Sequence, residues 1–151
     1  MLSELLSTER VRVPLGSHAK ADLLRELVRL AVPEVDAPTF DCIVAAVEDR
    51  ERQVSTAMGG GLAVPHGRTD LVPELRLAAG LVDEVADYES PDGTRVRVVF
   101  LVLTPESATG QHVKVLSRIA RMMHAPDSRA ALVGAADATG FVDAIRRAEA
   151  A

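Results

Sequence analysis

The segment GGGLAVPHGR, residues 59 to 68, places a histidine where its side chain could act as a nucleophile. Three glycines, which permit close backbone approach, lead into a short apolar run that ends in Pro65–His66. Proline restricts the backbone, so a histidine beside it at a strand end has a well-defined position. A neutral imidazole is a good nucleophile near neutral pH and a good leaving group once protonated. The alternative is a histidine in an ordinary turn, and this segment by itself does not separate the two.

Two further polar residues lie on helix faces that are otherwise apolar. Arg50 extends the apolar stripe of its predicted helix three residues beyond Val47, which directs the cation toward the sheet. His112 shares the inward face of Val115 and Ile119 and lies in a first helical turn, where free N–H groups favour a phosphate or another anion. The same partial positive charge disfavours protonation of His112. Each has a structural alternative: a snorkelling arginine near a helix C-terminus, and a buried histidine bonded to a carbonyl.

The chain around these residues alternates between strand and helix patterns. Strands are predicted at residues 10–13, 62–66, 75–82 and 95–103, and helices at residues 18–31, 40–54, 111–124, 127–134 and 139–149. Ser17 and Thr39 are predicted to cap the first two helices, and Cys42 is predicted to be a small buried residue of the second. The PDG sequence at residues 91–93 predicts a turn. Because helices interleave with strands, we expect one α/β domain over residues 1–151, with a mixed, mainly four-to-five-stranded sheet flanked by helices on both faces.

Composition and spacing exclude several classes of function. A formal charge of −5, only 3% aromatic residues and no tryptophan argue against a nucleic-acid partner. No apolar run reaches the roughly 20 residues that span a bilayer, and MLSELLSTER lacks the pattern of a signal peptide, so no membrane insertion is expected. A single cysteine fits a reducing compartment, which predicts a cytoplasmic protein. The four histidines lack zinc-ligand spacing, and the glycine run lacks the Lys-Ser/Thr of a Walker loop.

Two segments together carry the pattern of a known family. RERQVSTAMGGGLAVPHGR, residues 50–68, contains an Arg-Glu pair, a Ser-Thr pair, glycines and a Pro-His run. FLVLTPESATGQHVKVL, residues 100–116, contains an apolar strand, a proline loop and a helical histidine. With the PDG turn, they resemble the enzyme IIA domains of the fructose–mannitol class of the bacterial phosphoenolpyruvate-dependent sugar phosphotransferase system. That class includes the nitrogen-related regulatory IIA proteins, and the resemblance extends over essentially the whole chain.

The resemblance implies a phosphotransferase component with a phosphohistidine intermediate. His66 would accept a phosphoryl group from the histidine phosphocarrier protein, and His112 and Arg50 would stabilise charge on the transferring group. Arg68 would bind phosphate or contact a partner. Further support of the phosphate or of the glycine loop is implied for Ser55, Thr56 and Gly61. No metal and no cofactor are implied, because the phosphoryl donor and acceptor are themselves proteins.

Three functions stay open at this point. A phosphocarrier in sugar uptake would pass the group from His66 to a IIB component. A regulatory IIA would use the phosphorylation state of His66 to control binding to a target protein, without moving sugar. A pure interaction domain would not be phosphorylated, and the joint presence of Arg50, His66 and His112 argues against it. Sugar choice in this family resides largely in other components.

Overall fold

The computed structural model describes residues 1–151 as a mixed sheet with helices packed on both of its faces. The helices are α1 (Leu2–Leu5), α2 (Lys20–Ala31), α3 (Ala37–Gln53), α4 (Thr109–His124), α5 (Pro126–Val133) and α6 (Ala138–Ala150). The strands are β1 (Val11–Arg12), β2 (Ala57–Gly59), β3 (Leu62–Ala63), β4 (His66–Arg68), β5 (Arg76–Leu81) and β6 (Val98–Thr104).

The sheet has the order β1-β5-β6-β3-β2, and β4 also pairs with β6. Strands β3 and β4 both run parallel to β6 in one register, with Leu62 opposite Val98 and His66 opposite Val102. They therefore form one ribbon that is interrupted between residues 63 and 66, so the six strands make five ribbons. Strand β5 is antiparallel to β6, whereas β1 is parallel to β5. The predicted mixed sheet is confirmed.

Strand β6 is the centre of the sheet and divides the core in two. All seven of its residues are buried, which explains the continuous apolar run in the sequence. Because side chains alternate along a strand, Leu101 and Leu103 pack with α2 and α3 on one face. Phe100 and Val102 pack with α1, α4 and α6 on the other. The two faces thus carry two separate apolar clusters, as expected for a sheet covered on both sides.

The two predicted helix caps are wrong. Helix α2 follows Ala19, which makes no side-chain cap bond, and the Ser17 hydroxyl instead donates to the Glu26 carboxylate at 2.8 Å. Helix α3 begins after Asp36, whose carboxylate accepts the Thr39 backbone N–H at 2.9 Å. A carboxylate at the N-cap accepts an orphan backbone N–H and favours the helix dipole, which explains why Asp36 caps the helix in place of Thr39.

Four other details of the structure differ from the prediction. Cys42 is exposed, because the inward stripe of α3 passes through Ile43 and Val47. Val54 lies beyond the end of α3 and is exposed as well. Strand β2 was not predicted; it pairs antiparallel with β3. The four-residue helix α1 was not predicted either. The remaining elements fall within a few residues of their predicted positions.

Candidate functional site

His66 is the first residue of β4, at the point where the ribbon resumes after Pro65. Its Nδ1 lies 2.9 Å from the carbonyl oxygen of Val64. A carbonyl oxygen can only accept a hydrogen bond, so Nδ1 carries the proton. The other ring nitrogen, Nε2, is then unprotonated and keeps its lone pair available. The half-buried ring is therefore held in the tautomer that a nucleophile at Nε2 requires.

Pro65 explains how the Val64 carbonyl can face His66 while the backbone around it stays hydrogen-bonded to the sheet. Pro65 has no N–H to donate, and its carbonyl oxygen accepts the Val102 backbone N–H at 3.1 Å. The Val64 N–H is bound by the carbonyl oxygen of Thr56 on the neighbouring segment, at 3.1 Å. The interruption thus keeps its backbone hydrogen bonds paired, which fixes the Val64 carbonyl that holds His66.

His112 reaches the same place from helix α4. Its buried ring lies with its centroid 5.1 Å from that of His66, at an interplanar angle of 67°. Its Nδ1 is 2.9 Å from the hydroxyl oxygen of Thr104, the last residue of β6. Strand β6 brings the two histidines together, because its C-terminal half pairs with β4 and its end leads into α4. The two histidine segments thus meet through a contact between their rings.

Arg50 lies in the last turn of α3, partly buried, and donates from Nη1 to the Val54 carbonyl oxygen at 3.0 Å. Helix α3 packs closely on β4 because Gly67 has no side chain; a Cβ there would lie 3.1 Å from Val47 Cγ2. Burial lowers the pKa of both histidines, and the Arg50 charge lowers both further. The site thus joins an imidazole with an unprotonated Nε2, a second and buried imidazole, and a cation, from three separate elements.

Both histidines are biased toward the neutral state. Burial lowers the pKa of His66, and the Arg50 charge lowers it further, against the opposing effects of the Val64 hydrogen bond and the Glu51 charge. Burial also lowers the pKa of His112, and the charges of His66, Arg68 and Arg50 add to this, bringing it to about 4. The free site at neutral pH therefore holds two uncharged imidazoles beside a cation, which suits the arrival of an anion.

Arg68 lies near these rings but its guanidinium is bound within the chain. It donates to the carbonyl oxygen of Glu106 and to the hydroxyl of Thr109, 2.6 Å away. Both acceptors lie where the loop after β6 enters α4, so Arg68 fastens β4 to the start of the helix that carries His112. Its charge also contributes to the lowered pKa of His112. The geometry gives Arg68 a bracing position between the two histidine segments.

The hydroxyl groups of Ser55 and Thr56 are used inside the protein. Ser55 Oγ donates to the Glu89 carbonyl oxygen at 2.7 Å, and Thr56 Oγ1 donates to the Glu51 carboxylate at 2.7 Å. Neither proton is free to bind a phosphoryl oxygen. Of the two roles considered for this pair, the geometry supports pinning the segment before the glycines.

Gly61 lies at the start of the ribbon that leads to His66, where it supports the glycine loop. Its carbonyl oxygen accepts the backbone N–H groups of Arg97 and Val98, at the start of β6. His66 pairs with Val102, four residues further along that strand, or roughly 13 Å at the usual rise of a strand. The positive φ of Gly61, 83°, serves the turn between β2 and β3. The glycine run therefore shapes the ribbon that leads to His66.

Sequence reasoning missed a buried polar cluster on the α3 side of the site. It comprises Lys20, Glu51, Thr56 and Tyr88, linked by hydrogen bonds and an ion pair. Glu51 could have been found from the spacing of α3, because it lies four residues beyond Val47 on the inward stripe. Tyr88 and Lys20 carried no such signal. Thr104 and the Val64 carbonyl were also missed, since both act through contacts between segments distant in the sequence.

The chain has no group of three or more His, Cys, Asp or Glu side chains arranged to hold a metal ion. None of its helices has the length and apolar character that crossing a membrane requires.

Comparison with known proteins gives the family of the chain. Residues 4–148 match the family described as the phosphoenolpyruvate-dependent sugar phosphotransferase system, EIIA 2. The chain belongs to this family, whose members are phosphotransferase components. It is 34% identical to a nitrogen regulatory protein of Bradyrhizobium diazoefficiens over 91% of this chain and 89% of that protein.

Two solved structures share the fold. The nitrogen regulatory protein IIA-Ntr of Neisseria meningitidis superposes with a TM-score of 0.85 at 27% identity, covering 95% of this chain and 98% of that one. The mannitol IIA enzyme of Escherichia coli, solved in a complex with phosphorylated mannitol IIB, superposes with a TM-score of 0.77 at 17% identity. It covers 94% of this chain and 97% of that one, and at this identity the likeness concerns the fold alone.

The lowered pKa of His112 predicts an acid-sensitive fold. The folded state keeps the ring neutral down to about pH 4, whereas the unfolded chain binds a proton near the ordinary value of 6.5. The free energy of unfolding should therefore fall as the pH drops from about 6.5 to about 4, by at most ~1.4 kcal/mol per pH unit for this proton. Urea unfolding across this range checks it, with His112→Asn as the comparison. If His112→Asn shows the same pH slope as wild type, the slope comes from other groups.

Proposed function

We propose that His66 accepts a phosphoryl group on Nε2 from the phosphohistidine of the histidine phosphocarrier protein. The observation that carries the proposal is the 2.9 Å contact between His66 Nδ1 and the Val64 carbonyl oxygen. It leaves Nε2 as the nitrogen with a free lone pair, and it fixes the direction in which that lone pair points. The half-buried ring leaves this nitrogen accessible to a partner's active site.

The transfer needs little covalent help from the protein. The Nε2 lone pair forms a bond to phosphorus while the bond from phosphorus to the donor's imidazole nitrogen breaks and its electron pair returns to that ring. No proton leaves His66, because Nε2 carries none. The ring becomes cationic as it accepts the group, and the Val64 carbonyl stabilises the Nδ1–H of that cation.

Arg50 and His112 supply the charge that the phosphoryl group requires. The Arg50 guanidinium offers N–H donors beyond the one bound to Val54, and its charge acts on both rings. When the Thr104 hydroxyl donates to His112 Nδ1, His112 Nε2 carries the proton and becomes a donor to a phosphoryl oxygen. Preorganised donors of this kind act most strongly on the charge that develops during transfer.

Two downstream roles use the same phosphorylated His66. In sugar uptake the group would pass to a IIB component, as the complex of the E. coli mannitol enzymes suggests by analogy of fold. In a regulatory role the phosphorylation state would control binding to a target protein. The 34% identity to a nitrogen regulatory protein and the IIA-Ntr structure at TM-score 0.85 favour the regulatory role over the role in sugar uptake.

Mass spectrometry of the intact protein tests the proposal. The chain is incubated with phosphoenolpyruvate, enzyme I and the histidine phosphocarrier protein, and one acid-labile phosphoryl addition is expected. No addition, while a control IIA in the same mixture is phosphorylated, would contradict it. Fructose and mannitol IIB proteins are then added: loss of the group to one of them indicates transport, and its retention indicates the regulatory role.

A further inference from the structure

The buried cluster beside the site connects to the nucleophile through a continuous set of hydrogen bonds. Glu51 is 7% exposed and its carboxylate is fully engaged. Oε1 accepts from Lys20 Nζ at 2.8 Å and from the Thr56 backbone N–H at 2.9 Å, and Oε2 accepts from the Thr56 hydroxyl at 2.7 Å. A buried carboxylate that lacked these donors would be strongly destabilising, so the arrangement constrains all of its members.

The direction of each bond in the cluster follows from what each group can donate. An ionised carboxylate only accepts, so the Thr56 hydroxyl gives its proton to Glu51. The lone pairs of that hydroxyl are then left to accept from the Tyr88 hydroxyl, 2.6 Å away. Burial raises the pKa of Tyr88, which keeps its phenol protonated for this role. Thr56 is thereby held at its hydroxyl and at its backbone N–H by Glu51, and at its hydroxyl by Tyr88.

Thr56 transmits this restraint to the histidine. Its carbonyl oxygen accepts the Val64 backbone N–H at 3.1 Å, and the Val64 carbonyl oxygen accepts from His66 Nδ1 at 2.9 Å. The peptide groups of Thr56 and Val64 thus lie in series between the Glu51 carboxylate and the imidazole. Val64 lies between β3 and β4, in the gap where neither strand pairs with β6. The hydrogen bond to Thr56 therefore fixes the Val64 N–H in place of a sheet hydrogen bond.

We propose that Glu51, paired with Lys20, is a positioning residue that sets the tautomer and orientation of His66 through Thr56 and the Val64 carbonyl. The proposal rests on the phosphoryl-accepting role of His66 for its consequence in transfer, but its structural part concerns the unphosphorylated protein. Glu51 lies at the far end of this connection from the His66 ring, so it acts through Thr56 and makes no contact with the imidazole. Its charge also opposes that of Arg50 at His66, raising the pKa that Arg50 lowers.

The test compares Glu51→Gln with variants of Thr56 that keep or remove the hydroxyl. Glu51→Gln retains the shape but replaces one carboxylate oxygen by an NH2 donor, so the side chain can no longer accept on one atom from Lys20 and the Thr56 N–H and on the other from the Thr56 hydroxyl. Thr56→Val removes the hydroxyl and keeps the backbone, while Thr56→Ser restores the hydroxyl. Glu48→Gln, one turn earlier on α3 and only partly buried, is the matched control for loss of one acidic charge. Thermal unfolding first establishes that each variant is folded.

The first readout is the tautomer of His66, measured by ring ¹⁵N chemical shifts in the unphosphorylated protein. Wild type, Thr56→Ser and Glu48→Gln should show the Nδ1–H form alone, whereas Glu51→Gln and Thr56→Val should show a mixture with the Nε2–H form. The second readout is the rate of phosphoryl uptake, which we expect to fall about tenfold or more in Glu51→Gln and Thr56→Val. The KM for the phosphocarrier protein should change little, since neither side chain is exposed.

The outcomes separate this proposal from the function of His66. A single Nδ1–H tautomer in both Glu51→Gln and Thr56→Val would overturn it, even if uptake slowed, because the cluster would then act only on stability. If Glu51→Gln does not fold, Thr56→Val decides the question with Thr56→Ser as its reference. If wild type takes up no phosphoryl group, the proposed function fails, and the tautomer measurement still establishes or excludes the positioning role.

Discussion

Replacing His66 by glutamine should abolish phosphoryl uptake from the histidine phosphocarrier protein. Glutamine keeps a polar side chain of comparable length but has no basic nitrogen, so no phosphoramidate bond can form. The residual rate should lie below detection, since removing a nucleophile removes the covalent step itself. Intact mass after incubation with phosphoenolpyruvate, enzyme I and the phosphocarrier protein measures the effect.

His124→Gln is the matched control for the His66 variant. This histidine is exposed at the end of α4 and lies in the last turn, away from the two paired rings. The variant should take up one phosphoryl group at the wild-type rate. Uptake on a histidine in His66→Gln, or its loss in His124→Gln, would place the acceptor elsewhere in the chain.

Replacing Arg50 by glutamine should slow phosphoryl uptake by about a hundredfold or more. The guanidinium is the cation whose charge lowers the pKa of both site histidines, so it also acts on a transferring phosphoryl group. Its removal should in addition raise the pKa of His66, so that more of the ring is protonated and unreactive as the pH falls. Rapid-quench kinetics with the phosphorylated carrier protein, combined with NMR titration of His66, measure both effects.

Arg52→Gln is the control for loss of a positive charge on the same helix turn. Arg52 is exposed and pairs with Asp49, so its charge is directed toward solvent. We expect phosphoryl uptake at nearly the wild-type rate in Arg52→Gln. The uptake rate of Arg50→Lys should lie between those of wild type and Arg50→Gln, because lysine keeps the charge but lacks the planar guanidinium. Equal uptake rates for Arg50→Gln and Arg52→Gln would show that Arg50 has no specific role in the transfer.

The fold was predictable wherever the apolar pattern of a segment reflected how that segment is buried in the folded protein. The run that ends at Leu103 is continuously apolar because β6 is buried on both faces, and this made the central strand the clearest element in the sequence. The inward stripes of α3 and α4 likewise followed the helical period. Helix starts were harder to predict because several residues compete: Asp36 outcompetes Thr39 as a cap, and α2 begins without a side-chain cap.

The site was predictable only in part, since its geometry depends on contacts across the sheet. The apolar faces around His112 and the Pro-His run around His66 marked each ring, but the 5.1 Å contact between them arises from the pairing of β4 with β6. Which of its two implied roles Gly61 has depends on the register of β3 and β4 on β6, because it is that register that sets Gly61 and His66 apart along the strand. Tyr88 was missed because a single residue in a long connection carries no periodicity.

Identification of the imidazole nitrogen that carries the phosphoryl group is the decisive measurement for the role of His66. The protein is labelled with ¹⁵N-histidine, phosphorylated through the carrier protein, and examined by ring ¹H–¹⁵N correlation with phosphorus coupling. We expect a single phosphohistidine at His66 with phosphorus on Nε2 and the proton retained on Nδ1, still bound to the Val64 carbonyl. Phosphorus on Nδ1 of His66, or on any other residue, would contradict it.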